Sequence, residues 1–174
     1  FDDMVTRVQK ADNQARRTVR LTNQLLSHAM VTHRSETSAL RPVTLKPIVT
    51  DMMTDMLRDS DMRGVTVTLS ADSIVAGDDL VRGDAISIRE ALSNLLENAR
   101  RHGPDDHTID VTLESTKPNH VSLIVEDAGP GIAAADRARA TERFTSIAKD
   151  TAGSGLGLSI VRAVAESHDA RLVL

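Results

Sequence analysis

The chain has 174 residues, of which 40% are hydrophobic and 26% charged, a composition typical of one soluble globular domain, or one domain with an appended element. The absence of cysteine excludes disulfides and thiolate metal sites, and the absence of Trp and Tyr removes the usual platforms for stacking bases. The net charge of −4 gives no reason to expect nucleic-acid binding, and no apolar run approaches the roughly 20 residues that span a bilayer.

Residues 1 to about 38 contain neither Pro nor Gly and are predicted to form one long helix. Small and apolar residues recur along it at alternating steps of four and three, as in a coiled-coil seam: Met4, Val8, Ala11, Ala15, Thr18, Thr22, Leu25 and Ala29. Such a face needs a partner, most simply a second copy of the chain in a helical bundle. The alternative is a helix packed on its own domain.

Two prolines within RPVTLKP, residues 41–47, end this pattern and mark the best candidate for a domain boundary. A helix is predicted from Ile48, with Met52, Met56 and Leu57 on the same face as Ile48 and Gly64 at its end. The alternating VTVTLS that follows predicts a strand.

The strongest helix signal begins at Asp84, a predicted N-cap, and stops at Gly103-Pro104. Its buried stripe is predicted to contain Ile88, Leu92, Leu95, Leu96 and Ala99. After it we predict a hairpin of strands 108–115 and 120–127, a polar helical segment over 133–144, a helix over 156–167, and the start of a strand in 170–174. Because strands come in pairs after helices, the fold class is α+β: a two-layer sandwich with a mixed sheet covered by helices on one face, preceded by the bundle-forming helix.

One polar cluster lies on the long helix, where Glu90, Asn94 and Asn98 follow each other at steps of four and therefore share a face. An amide oxygen can bind Mg²⁺ without adding negative charge beside phosphates. Arg101 is on the same side and could neutralise phosphate oxygens. The alternative is an ordinary solvated helix face.

Two further clusters contain glycine. In DAGPGI, residues 127–132, an Asp at a strand end can accept a hydrogen bond from an exocyclic amine, and glycines allow close approach of the backbone. In GSGLGLSIV, residues 153–161, three alternate glycines can turn N–H groups toward an anion where a helix begins. This spacing fits neither a dinucleotide fingerprint nor a P-loop.

Taken in order, ALSNLLENARRHG, VEDAGPGI, ERF and GSGLGLSIV closely resemble the N, G1, F and G2 boxes of sensor histidine kinases. RRTVRLTNQLLSHA resembles the second helix of that family's dimerisation and phosphotransfer domain, and LVRGD the strand before the N-box helix. The resemblance implies part of that dimerisation domain in residues 1–40, and an ATP-binding catalytic domain with an incomplete C-terminal strand in residues 41–174.

The resemblance also implies roles for residues of the N box. Asn98 would bind the Mg²⁺ that bridges the ATP phosphates, and Arg101 would contact those phosphates. Asn94 stands where related ATPases place a general-base Glu, so that an Asn there fits transfer to a protein side chain better than hydrolysis. His102 stands where an aromatic ring often packs on the nucleotide.

Roles implied for the glycine motifs complete the predicted site. Asp127 would accept a hydrogen bond from the adenine amino group, and the residues shaping its pocket would be Gly129, Gly131 and Ile132. The hinge and phosphate nest would consist of Gly153, Gly155 and Gly157, with Leu156 and Leu158 packed beneath. Residues 133–152 would form the mobile ATP lid.

The function so implied is transfer of the ATP γ-phosphoryl group to a histidine on a dimerisation helix of the same or a partner protomer, for relay to a response-regulator aspartate. The expected cofactors are ATP and Mg²⁺. The expected assembly is a homodimer through the N-terminal helix when the full bundle is present. The expected location is the cytoplasmic side of an inner-membrane sensor protein. None of the six histidines has the setting His-Glu/Asp-Leu-Arg-Thr-Pro, so the chain is not expected to phosphorylate itself. The alternatives are a nucleotide-binding scaffold without transfer activity and an anti-sigma-type serine kinase.

Overall fold

A computed structural model describes residues 39–58, 64–71, 74–75, 77–117, 119–145 and 155–174, together with scattered positions between 4 and 34. Every described position before residue 35 is helical, as the sequence predicts for this part of the chain. The apolar residues described there are 49–71% exposed: Met4, Val8, Val19, Leu25, Leu26 and Met30. No helix among the described residues is long and apolar enough to cross a membrane.

The strands form two sheets. Strand β2 (Thr66–Ser70) runs parallel to β4 (Thr108–Lys117), which pairs antiparallel with β5 (His120–Glu126), so that the order is β2-β4-β5 and the predicted mixed sheet is confirmed. A separate antiparallel pair joins β1 (Arg41–Thr44) to β3 (Leu80–Gly83). The predicted domain boundary between residues 40 and 41 stays a prediction, although β1 begins there.

Besides the N-terminal helix, the described residues form four helices: α1 (Leu45–Leu57), α2 (Ala85–His102), α3 (Arg137–Ala140) and α4 (Gly157–Ser167). The predicted bounds of α2 are confirmed, since the Asp84 carboxylate accepts from the Ser87 backbone N–H at 3.2 Å and the Gly103 N–H donates to Ala99 O at 3.0 Å. Its last turn carries Arg100, Arg101 and His102 near the negative end of the helix dipole.

The core lies between α1, α2 and one face of the three-stranded sheet. Its buried residues come from alternate positions of β4 and from the apolar stripes of the two helices: Leu45, Val49, Met53, Leu92, Leu96, Ala99, Ile109, Val111 and Leu113. A second cluster of Leu156, Ile160 and Val164 packs with Ala91 and attaches α4 to α2. Aliphatic packing therefore fixes the two helices on which the predicted site depends.

Four details of the predicted elements are wrong. Helix α1 ends at Leu57, with Arg58 as its C-cap, and therefore stops before the predicted end at Gly64. Leu57 is 61% exposed, because α1 begins at Leu45 and presents Val49 and Met53 to the core instead. Only residues 137–140 of the predicted polar segment are helical, since few apolar side chains there could be buried to hold a longer helix. Residues 170–174 form no strand, because no strand of either sheet pairs with them.

The turn after α2 is built around the buried ring of His107. Its Nε2 lies 3.2 Å from Ala99 O and its Nδ1 2.6 Å from Pro104 O, so the ring bridges the end of the helix and the following loop. A Cβ atom at Gly103 would overlap this ring. The glycine that stops α2 is therefore also required by packing.

Gly103→Ala is expected to lower the free energy of unfolding by about 1–3 kcal/mol, because the added methyl displaces a buried, hydrogen-bonded ring. Urea unfolding followed by circular dichroism measures the change. The control is Asp105→Ala, an exposed position in the same turn, which should stay within about 0.5 kcal/mol of the parent chain. Equal stabilities for all three chains would contradict this packing.

Candidate functional site

The polar face of α2 is not a solvated surface. Asn94 is only 8% exposed, and its Nδ2 donates to Glu90 O at 2.8 Å and to Glu90 Oε1 at 3.3 Å. Within the described part of the chain, neither Asn94 Oδ1 nor the Asn98 amide has a hydrogen-bond partner. The oxygen of Asn94 is suited to a ligand, because a buried acceptor without a partner is costly, and the amide of the half-buried Asn98 is available beside it.

The N-terminus of α4 lies directly against these amides. A Cβ atom at Gly157 would be 3.3 Å from Asn94 Oδ1 and 3.5 Å from the Asn98 amide atoms. Leu156 beside it is buried and Leu158 is half-buried. The positive end of the α4 dipole therefore faces the Asn94–Asn98 stripe, an arrangement that favours an anion between them.

Gly155, two residues before α4, packs against the backbone of Phe144 and Thr145. Its φ is +68°, and a Cβ atom there would lie 2.5 Å from the backbone N and 2.7 Å from the carbonyl O of Thr145. Only glycine fits both the backbone angle and the contact. The first glycine of the motif, Gly153, lies outside the described residues, as does most of the predicted lid beyond Thr145.

The loop after β5 meets the end of α2. The Asp127 Oδ1 accepts from the Gly129 N–H at 2.7 Å, which leaves Oδ2 without a partner among the described residues. A Cβ atom at Gly129 would be 2.7 Å from His102 O, so that the loop backbone touches α2. Gly131 has a φ of +67° and open space around it, while Ile132 is half-buried.

Charges at the end of α2 act on one another. Burial and then the nearby Arg101 lower the pKa of His102, and the negative charge of Asp127 opposes them. The lowered pKa favours a neutral ring at neutral pH, which is suited to packing against a base.

Arg101 is held by a residue that the sequence analysis missed. Its NH2 donates to Glu97 Oε1 at 2.9 Å, and Glu97 also accepts two hydrogen bonds from Arg100. Burial alone would raise the pKa of Glu97, but its hydrogen bonds and charge contacts with Arg100 and Arg101 outweigh burial and lower it. The spacing of four between Glu97 and Arg101 was the available signal.

The structure thus brings most of the predicted residues together around α2. Asn94 and Asn98 meet Gly157, and His102 meets Gly129 and lies within the electrostatic reach of Asp127. Gly131 and Ile132 follow on the same loop, with no close contact of Gly131 to α2. No group of three His, Asp or Glu side chains among the described residues could hold a metal by itself.

A groove of about 350 Å³ lies elsewhere, between α3, the second half of α4 and the last residues of the chain. Its lining includes Arg137 of the predicted lid, Ala165 and Leu172, but none of the residues predicted to contact the nucleotide. The candidate site is therefore defined by the approach of the glycine motifs to α2, and not by this groove.

Residues 83–174 match the family of histidine kinase-, DNA gyrase B- and HSP90-like ATPases. The chain is 39% identical over 131 residues to the probable sensor histidine kinase TcrY of Mycobacterium tuberculosis, an alignment that covers 66% of this chain and 27% of TcrY. The chain thus spans about a quarter of the length of that relative.

Two solved structures share the fold. The mycobacterial sensor histidine kinase MprB has a TM-score of 0.64 and 28% identity, over 75% of this chain and 80% of the other. ShkA, solved at full length in complex with AMPPNP, has a TM-score of 0.67 and 25% identity, over 86% of this chain and 31% of the other. With its family match over more than half of its length and with sensor histidine kinases as its relatives, the chain belongs to the histidine kinase-, DNA gyrase B- and HSP90-like ATPase family.

Proposed function

We propose that this chain is the ATP-binding catalytic part of a sensor histidine kinase. It transfers the γ-phosphoryl group of ATP to a histidine on a dimerisation helix outside the chain, and that phosphoryl group passes on to a response-regulator aspartate. In the first transfer a bond forms between a ring nitrogen and the γ-phosphorus, the bond to the β,γ-bridging oxygen breaks, and ADP leaves.

The observation that carries this proposal is the approach of two glycine motifs to one helix. Gly157 lies against Asn94 and Asn98, and Gly129 lies against His102, at opposite ends of the same stripe of α2. An ATP molecule needs a phosphate-binding end and an adenine-binding end, and the two contacts supply both. The proposal assigns the residues near each of these two contacts to one end of the ATP molecule.

The adenine end depends on Asp127. Its Oδ1 is used by the Gly129 N–H, and its second oxygen is available to the exocyclic amine of adenine. Gly129, Gly131 and Ile132 shape the pocket, and the neutral ring of His102 packs on the base. This division of the two carboxylate oxygens gives selectivity for a purine with an amine at position 6.

The phosphate end depends on Asn98, Arg101 and the N-terminus of α4. Asn98 is suited to Mg²⁺ because its amide has no hydrogen-bond partner among the described residues and adds no charge. When bound with ATP, Mg²⁺ would neutralise charge that develops on the phosphate oxygens. Arg101, held by Glu97, would contact the same oxygens, while Gly155 and Gly157 with Leu156 and Leu158 would form the hinge and nest. Gly153 of the same motif lies outside the described residues.

Asn94 favours transfer over hydrolysis. An amide cannot take a proton from water, and the Nδ2 of Asn94 is already committed to Glu90. The nucleophile must therefore bring its own activating base, as a histidine on a separate helix would. Asn94 and Arg101 act by positioning and charge, with no proton transfer assigned to either.

The relatives support the proposed partners and location. TcrY is a probable sensor histidine kinase of which this chain matches 27%, and ShkA was solved with an ATP analogue. We infer that the chain belongs to the cytoplasmic side of a longer inner-membrane sensor and that the N-terminal helix contributes to a homodimeric bundle. The exposed apolar residues of this helix support that inference.

A transfer assay tests the proposed activity. The chain is mixed with γ-labelled ATP, Mg²⁺ and a separately made protein that carries the phosphoacceptor helix of the same parent protein. Acid-labile, base-stable label on that helix is the expected result. ATP binding without transfer would leave a nucleotide-binding scaffold and would overturn the kinase assignment.

Asp127→Asn is expected to weaken ATP binding by about 10- to 100-fold, the effect of losing a hydrogen bond to a charged group. The asparagine oxygen can still accept from the Gly129 N–H, but the NH2 of the side-chain amide then faces the adenine amine, and two donors cannot form a hydrogen bond. The affinity for ITP, which has a carbonyl oxygen at position 6 of the purine, should decrease less than the affinity for ATP. Calorimetry with both nucleotides measures the change in preference.

The matched control for this variant is Glu126→Gln, the same loss of charge at the exposed preceding residue. It should bind ATP and ITP like the parent chain. If Asp127→Asn keeps the parent preference for ATP over ITP, the adenine assignment is wrong.

Asn98→Ala should remove most of the Mg²⁺ dependence of ATP binding, with apparent Mg²⁺ affinity lower by about tenfold or more. ATP titrations at several Mg²⁺ concentrations, and in EDTA, measure it. Ser93→Ala, at an exposed position of the same helix, serves as the control and should retain the parent dependence. Equal Mg²⁺ dependence in all three chains would remove Asn98 from the metal site.

A further inference from the structure

Arg34, near the end of the described part of the N-terminal helix, makes a two-point ion pair with Asp84. Its Nε donates to Asp84 Oδ2 and its NH2 to Oδ1, both at 2.7 Å, across 50 residues of chain. The side chains are only 29% and 13% exposed. An ion pair with two parallel hydrogen bonds between guanidinium and carboxylate is much stronger than an exposed ion pair with a single contact.

Asp84 is also the residue that starts α2. The same carboxylate caps the helix through the backbone N–H of Ser87 and accepts from the Ser87 hydroxyl at 2.7 Å. Its own backbone N–H donates to His168 Nε2 at 2.9 Å, just after α4 ends. Asp84 therefore links the N-terminal helix to both helices of the proposed ATP site.

Apolar packing does not perform this task among the described residues. The apolar side chains of the N-terminal helix are exposed, as are Leu80 and Ile86, which flank Asp84 at 55% exposure each. The Arg34 hydrogen bond is the largest single cause that holds the pKa of the Asp84 carboxyl well below its usual range. The contact is thus polar, specific and directed at one end of α2.

We propose that the Arg34–Asp84 ion pair is the contact that positions the N-terminal helix on the ATP-binding domain. Arg34 fixes the direction in which this helix leaves the domain, because the Asp84 carboxylate that it binds is itself held by Ser87 at the start of α2. Arg34 and Asp84 are positioning residues and contact no nucleotide. The effect of these two residues on phosphoryl transfer rests on the proposed function, whereas their effect on the orientation of the helix does not.

Spin labels can report this orientation, since the chain contains no cysteine of its own. Thr22→Cys lies 12 residues before Arg34, or about 18 Å along a helix, and Asp105→Cys lies in the exposed turn after α2. In the doubly labelled chain we expect a narrow distance distribution between the two sites. In Arg34→Gln and in Asp84→Asn we expect loss of that narrow peak.

Asp84→Asn retains a good N-cap residue, so that the loss of charge is separated from loss of the helix start. Arg89→Gln is the matched control, because it breaks the exposed pair of Arg89 with Asp51 inside the domain and should leave the narrow peak unchanged. ATP binding by the same samples should equal that of the parent chain. A failure of the parent to bind ATP would count against the proposed function alone.

An unchanged peak in both variants would overturn the proposed positioning role. A change in Asp84→Asn alone would assign the effect to the cap of α2, and would also overturn the role of Arg34. Loss of the peak in both variants, with the peak retained in Arg89→Gln, is the result that supports it.

Discussion

The close approach of bare backbone to helix α2 is the constraint on which the rest of this site depends. A Cβ atom at Gly129 would lie 2.7 Å from the carbonyl O of His102, the last residue of α2, and one at Gly157 would lie 3.3 Å from Asn94 Oδ1. A methyl group at Gly129 would push the loop after β5 away from α2, whereas one at Gly157 would require the Asn94 amide to shift by a few tenths of an ångström. These glycines are thus needed because they permit close approach of one backbone segment to another, and not because they make the chain flexible.

The polar stripe of α2 stands beside an aliphatic one, and the two depend on each other. Leu92, Leu96 and Ala99 fix the helix against the sheet, while Ala91 receives the apolar side of α4. Asn94 and Asn98 then have little freedom to move relative to Gly157. Preorganisation of this kind would let individually weak groups act together on a polyanion, with Arg101 as the cationic side chain that the proposal assigns to it.

Local signals in the sequence predicted α2 well, because its cap, its stripe and its stop are all short-range features. The motif order predicted one site from Asn94, Asn98, His102, Gly129 and Gly157, and these residues do lie together. Gly131 has no close contact with α2, and Gly153 lies outside the described residues. β1 was missed, since Pro42 and Pro47 make that stretch resemble a linker and only pairing with β3 makes it a strand. The Arg34–Asp84 pair could not be predicted, because no local pattern links residues so far apart, whereas the Glu97–Arg101 pair could have been.

The parallel pairing of β2 with β4 has a consequence for how this chain folds. Thr68 and Asp110, hydrogen-bonded across that pair, are 42 residues apart, and the intervening chain includes all of α2. Closing such a long loop costs entropy that is recovered only when the enclosed helix packs on the sheet. Packing of α2 on the sheet thus offsets the entropy of closing this loop, so that pairing of β2 with β4 is coupled to the docking of the helix between them.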